Sequence, residues 1–198
     1  MVSVSAQIQP QKSGDTPKME PTPNAGREAG HPSLSPVIQE ALKWQGAVTY
    51  LMGGNDLRPG GRIDAAHFVT TVFRRAGVPI PDPPVRNQEK YGEIVYWRGQ
   101  REEFGRVYNR SIGKPEDLRP GDRIIFQENP TNSNVRGNYH TGIYIGPYHD
   151  PVKNVTYMHA FIHSGSFHNG VGIDDLFKGY LRKKPMYVVR GNTLRRHP

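Results

Sequence analysis

Residues Gly60-Gly61-Arg62-Ile63-Asp64-Ala65-Ala66-His67-Phe68-Val69 run a glycine-bearing loop into a helix whose first turn starts at Ala65. A first helical turn carries unpaired backbone N–H groups and the positive end of the helix dipole, so a thiol ionises most readily there. In this sequence the position holds alanine, and the chain has no cysteine anywhere. Disulfides, thiolate zinc sites and cysteine nucleophiles are therefore excluded for the chain as it stands. The remaining chemistry rests with histidine. His140 opens an alternating apolar run and His159 follows on the next one, while His149, His163 and His168 read as loop histidines. Clustered histidines can suggest a metal, but the His-Glu-x-x-His spacing is missing, so neither a metal nor a cofactor is expected.

The elements that would position these residues are legible from caps and periodicity. Ser35-Pro36 is a cap followed by proline at the first helical position, and Val37, Ile38, Ala41, Leu42 and Trp44 give an apolar face, which predicts a helix over 36–45. Asp64 caps a second helix in which Phe68, Val69, Val72, Phe73 and Ala76 recur at helical spacing before Gly77 stops it. Pro79, Pro81, Pro83 and Pro84 then lead into a polar stretch, 85–117, read as a partly helical insertion or lid. From residue 121 short β runs follow at 123–127, 141–145, 155–161, 170–173 and 186–189. Helices first and strands second make an α+β fold, with N-terminal helices packed on an antiparallel sheet of about five strands.

Residues 1–33 are rich in proline and polar residues and are expected to be disordered; 34–191 form the domain, and 192–198 a basic tail. The net charge of +8 falls entirely on residues 34–198 and favours polyanionic partners such as nucleic acid, anionic lipid or anionic wall polymers. No run of about 18 apolar residues exists, and the N-terminus lacks the basic and apolar regions of a secretory signal. A soluble protein with no Sec signal and no membrane span is expected.

Several segments, in order, resemble the NlpC-type, papain-like cell-wall cysteine peptidases. Tyr50-Leu51-Met52-Gly53-Gly54 is similar to the family's Tyr-x-x-Gly-Gly turn, Asp64 to Val69 to its Asp-Cys-Ser-Gly-Phe-Val helix start, and His140 to Gly146 to its His-x-Gly-x-Tyr-x-Gly strand. Leu118-Arg119-Pro120-Gly121-Asp122 and Tyr157-Met158-His159-Ala160 continue the likeness, which runs from about residue 36 to Arg190 and is weakest over 85–117. The resemblance implies that Ala65 stands at the nucleophile position, His140 is the general base, His159 orients it, and Tyr50 lies near the oxyanion. It also implies substrate contacts at Gly54, Asp64, Ala66 and Gln88. With cysteine at position 65 the chemistry would be acyl transfer on a peptidoglycan stem peptide. With alanine it is absent, through a natural loss or a deliberate replacement, and the otherwise intact motifs favour replacement. Export without a Sec signal, the single domain and the Pro-rich N-terminus fit an antibacterial effector. Such an effector would be delivered by a type VI secretion apparatus into the periplasm of a target bacterium and opposed by a cognate immunity protein.

Two other classes fit parts of the sequence. One is a binding module of the same fold that grips wall or a partner without cutting. The other is a single-stranded nucleic-acid binder, in which Tyr91, Tyr96, Trp97, Phe104 and Tyr108 would stack bases and Arg86, Lys90, Arg98, Arg101 and Arg106 would meet phosphates. The second ranks lowest, since no nucleic-acid motif accompanies these residues, and nucleic acid is not expected as a partner.

Overall fold

Ser35 begins the first helix as the caps require: its Oγ accepts the Ile38 N–H at 3.4 Å, and Pro36 fills the first position. Helix α1 (Pro36–Leu42) buries Val37, Ile38 and Ala41. It ends three residues before the expected 45, in turns that lead to Gly46 at φ 70°. Asp64 caps α2 (Ala65–Arg75) by accepting the His67 N–H at 2.8 Å, and Arg74 and Arg75 sit in its last turn, where cations meet the negative end of the dipole. The computed structural model describes residues 35–81, 88, 90–103, 106–109, 111–128 and 139–194. The expectation of disorder over 1–33 and the stacking residue Phe104 lie outside these residues, as do Arg86 and the end of the tail, 195–198.

Among the described residues there are ten strands: β1 (Thr49–Tyr50), β2 (Arg62–Ile63), β3 (Tyr91–Arg98), β4 (Gln100–Glu103), β5 (Arg106–Asn109), β6 (Arg123–Gln127), β7 (Tyr139–Asp150), β8 (Val155–Gly165), β9 (Gly170–Asp175) and β10 (Met186–Leu194). Six of them make one antiparallel sheet in the order β3-β10-β6-β7-β8-β9, while β1 pairs with β2 in parallel and β4 with β5. Both faces of the sheet are covered. On one, α1 and α2 pack against Ile143, Ile145, Ala160, Ile162, Val171 and Ile173; on the other, Leu118, Leu176 and Leu181 close over Ile124, Phe126, Tyr144, Phe161 and Val188. Each fully buried isoleucine, leucine, valine or phenylalanine among them contributes about 1.5–3 kcal/mol.

The α+β arrangement is as expected, but the sheet has a sixth strand, β3, inside the segment read as an insertion. Its periodicity is hidden by a bulge. Tyr96 pairs with Val188 and Ile94 with Val189, so Val95 is an extra residue and the alternation breaks at that point. The burial of Tyr96 and Trp97 at 6% and 5% exposure also removes two of the aromatics proposed for base stacking. Arg98 is likewise committed, donating to the Leu181 and Lys184 carbonyls.

Two arginines tie this sheet together. Buried Arg123 donates to the carbonyls of Gln88, Tyr91 and Gly191, joining β6 to the entry of β3 and to β10, and its burial pushes it down to about 10. Arg190 on β10 grips Asp122 with two hydrogen bonds of 2.8 and 2.7 Å, and the same carboxylate accepts the Arg119 N–H at 2.8 Å. Leu118 to Asp122 and Arg190, distant in sequence, are thus one structural device. Arg190→Ala would leave the nearly buried Asp122 carboxylate without its cation. It is expected to lower the unfolding free energy by about 3 kcal/mol, read as a lower midpoint in urea with an unchanged slope.

Candidate active site

The start of α2 is held from three sides. Asp64 Oδ1 accepts the His67 N–H at 2.8 Å and lies 2.9 Å from His67 Nδ1, while Oδ2 accepts the Gly53 N–H at 3.0 Å. The Asp64 N–H in turn donates to the Gly54 carbonyl at 3.0 Å. Gly54 has no room for a side chain, since a Cβ would lie 2.7 Å from the Arg62 carbonyl oxygen. Its place in the structure is therefore to let the loop close on β2. Tyr50 pairs with Ile63 across β1 and β2, and its hydroxyl is pushed up first by burial and then by the charge of Asp64. Ala65 is buried and Ala66 half-buried behind this clamp.

From the sheet side, Ser164 on β8 donates its hydroxyl to the Ile63 carbonyl at 2.8 Å, two residues before Ala65. This bond sets the start of α2 at the same end of the sheet as a chain of imidazoles. His140 Nε2 lies 2.7 Å from His163 Nδ1, His163 Nε2 lies 2.9 Å from Asp174 Oδ2, and His168 Nε2 lies 2.8 Å from that same oxygen. Gly165 sits against both rings, with the position of a Cβ 3.3 Å from His163 Nδ1 and 3.4 Å from His140 Cε1. Phe161 stacks on His163 with ring centres 4.6 Å apart, and Phe126 leans on His140 at 5.0 Å.

His159 does not belong to this chain, contrary to the role implied by the sequence. Tyr144 pairs with Phe161 and Ile143 with Ile162, so continuing the register brings His140 opposite Gly165. His159 lies six residues further along β8, roughly 20 Å away. Its Nδ1 instead lies 3.0 Å from the Tyr144 hydroxyl, and its ring meets the edge of Phe177. The residue beside His140 is His163, a strand residue and not a loop one. The signal was present in the hairpin: Asp150-Pro151 and Asn154 mark its turn, and counting outward from that turn sets 140 beside 163–165. His149 is likewise on a strand, 3.1 Å from the Thr156 hydroxyl.

Gln88 also departs from expectation. It is completely buried, with its side-chain oxygen accepting from Thr141 at 3.2 Å and its carbonyl accepting from Arg123. No substrate can touch it there. Asp174 was missed, because an acidic residue at the end of an apolar strand looks like an edge residue.

Electrostatics follow from packing. Burial holds His140 well below the ordinary imidazole value of 6.5, and the neighbouring His163 adds to this. His163 is lowered as well, by burial against the opposing pull of Asp174. Asp174 is held far below the usual carboxylate range: its partial burial opposes this, and its bonds to the two histidines outweigh the burial. Donor atoms of His163, His168 and Asp174 lie within 4.8 Å of one another, which is compact enough for a metal ion. Both Nε2 atoms, however, stand at hydrogen-bond distance from one carboxylate oxygen.

A capped helix start and a buried histidine pair thus stand at the same end of a two-sided antiparallel sheet. The chain belongs to the NlpC/P60 family, whose model matches residues 47–190; members are in general cell-wall peptidases. Among solved structures it is similar to a protein described as similar to lipoprotein, of the NLP/P60 family, from Staphylococcus aureus Mu50. That likeness has 19% identity and a TM-score of 0.50, over 89% of this chain and 46% of that one. It is also similar to an NlpC/P60 family protein from Bacillus cereus at 20% identity and a TM-score of 0.53, over 81% of this chain and 41% of that one. At these identities the likeness shows the fold, and the chain spans less than half the length of either protein. No curated protein matches the sequence. No helix among the described residues is long and apolar enough to cross a membrane.

The lowered histidines set a pH dependence of stability. Unfolded imidazoles take up protons as pH falls through about 6.5, whereas burial in the fold makes His140 and His163 take them up only at lower pH. The unfolded state then binds more protons, so stability is full above that range and declines below it, by up to about 1.4 kcal/mol per pH unit for each histidine. Urea midpoints measured between pH 7.5 and 5 should fall steadily, and His163→Gln should make the decline shallower. A flat profile would contradict the neutral, buried pair.

Proposed function

We propose that this fold is a cysteine hydrolase of peptidoglycan stem peptides whose nucleophile position, Ala65, is disarmed. The hydrogen-bonded His140 and His163, held at the same end of the sheet as the capped start of α2, carry this reading. With cysteine at 65, His140 takes the thiol proton and the thiolate adds to an amide carbonyl carbon. The N–H groups of His67 and Phe68 are taken by Asp64, which leaves those of Ala65 and Ala66 as first-turn donors to the developing oxyanion. His140 then protonates the departing amine, a thioester forms, and water hydrolyses it. His163 takes the orienting role that the sequence suggested for His159. Without a sulfur no thioester can form, so the chain with Ala65 binds and does not cut.

The charge of +8 supports an anionic wall polymer as the target. Delivery as an antibacterial effector into the periplasm of a rival cell, with an immunity protein that blocks the cleft, is the corresponding biological role; it is supported by the composition of residues 1–33 and by analogy.

The test installs the thiol. Ala65→Cys and the unsubstituted chain are incubated with purified peptidoglycan, and released fragments are identified by liquid chromatography and mass spectrometry. Only the cysteine form should release cleaved stem peptides. In that background His140→Ala and His163→Ala should lower the rate by about 10²–10⁴-fold, and His159→Ala by less than about threefold. If the cysteine form binds wall and releases nothing, the chain is a binding module.

A further inference from the structure

We propose that Asp174 and His168 are positioning residues that dictate which ring nitrogen of His140 is left free to take a proton. This rests on His140 being the base of the proposed reaction, and it follows from the direction of three hydrogen bonds. An ionised carboxylate can only accept, so His163, 2.9 Å from Asp174 Oδ2, must carry its proton on Nε2. A neutral imidazole has one N–H, so His163 Nδ1 is then an acceptor. His140 Nε2, at 2.7 Å from it, must be the donor. His140 Nδ1 is left with its lone pair, as a base needs. One carboxylate oxygen thus sets the protonation of an atom two rings away.

His168 explains why that oxygen stays in place. Asp174 retains about a quarter of its side-chain exposure, and a carboxylate with one partner could turn toward water. His168 Nε2 donates to the same Oδ2 at 2.8 Å and holds it from the second side. The ring of His168 is itself built in: it occupies the space a Cβ of Gly172 would need, and its short 3₁₀ turn ends at Asn169 in the left-handed conformation. Burial disfavours the charged form of both His140 and His163, which favours a single proton order along the pair. No step of the proposed hydrolysis otherwise uses His168.

The proton order is readable without catalysis. Two-bond nitrogen–proton correlation spectra of the full ¹⁵N-labelled chain, with Ala65 in place, should show His140, His163 and His168 each as the Nε2–H form. Asp174→Ala should shift His140 toward a mixture of both forms, and Asp174→Asn, which keeps an acceptor oxygen, should restore the single form. His168→Ala should give an intermediate mixture, and His168→Gln, which keeps a donor to the carboxylate, should recover the single form. In the Ala65→Cys background Asp174→Ala is expected to lower kcat about 10–100-fold with little change in KM, Asp174→Asn to recover most of it, and His168→Ala to lose about 3–10-fold. If Asp174→Ala and His168→Ala leave the His140 spectrum unchanged, the proposal is overturned. It is also overturned if one equivalent of Zn²⁺ saturates the chain and removes the Nε2–H signals of His163 and His168, because the cluster is then a cation site. If the cysteine form proves inactive, the hydrolase reading fails while the spectra still decide the proton order.

Discussion

A buried hydroxyl ties the start of α2 to the strand that carries His163. Ser164 Oγ reaches the Ile63 carbonyl from the strand that carries His163 as its preceding residue, and Ile63 is two residues ahead of Ala65. Both partners are buried, and the same carbonyl also accepts the Leu51 N–H at 3.4 Å, so removing the hydroxyl would cost one hydrogen bond, about 0.5–1.5 kcal/mol. Its larger effect is geometric. The start of α2 and the end of β8 come from segments about a hundred residues apart, and this bond sets how one sits against the other.

The histidines of β8 share one face of the strand with the core residue Phe161. Along β8, Ala160 and Ile162 pack under the helices, while His159, Phe161 and His163 look to the opposite side. Two histidines on one face, four residues apart, therefore meet different neighbours. One finds the Tyr144 hydroxyl, and the other finds His140 and Asp174. The same residue type becomes a packing group in one place and part of a proton chain in the other because of register alone.

How much of this could be read beforehand depended on whether the signal was local. The Asp64 cap, the apolar spacing of α2 and the five later strands follow from neighbours within a few residues, and the structure has them. The position of Ala65 at a helix start was legible for the same reason. Gln88 and β3 were misjudged because their environments are made by distant chain: Arg123 and Thr141 enclose the first, and a bulge at Val95 opposite β10 obscures the second. Choosing between His159 and His163 needed the hairpin register, which the sequence holds only indirectly in the turn at 151–154. Asp174 has no local mark at all, since what distinguishes it is the pair of imidazoles that fold onto it.

The order of the sheet has a consequence for how the chain comes together. β10, the last of the described strands to be synthesised, is inserted between β3 and β6. Until it emerges from a ribosome, β3 has no partner in the main sheet, the outer edge of β6 is unpaired, and Arg123 lacks one of its three carbonyls. A nascent chain would therefore wait with two open strand edges, the kind of surface on which chains pair with one another. Completion comes as one late zipper closing two seams at once, after β7, β8 and β9, on which the helices pack, have all been synthesised.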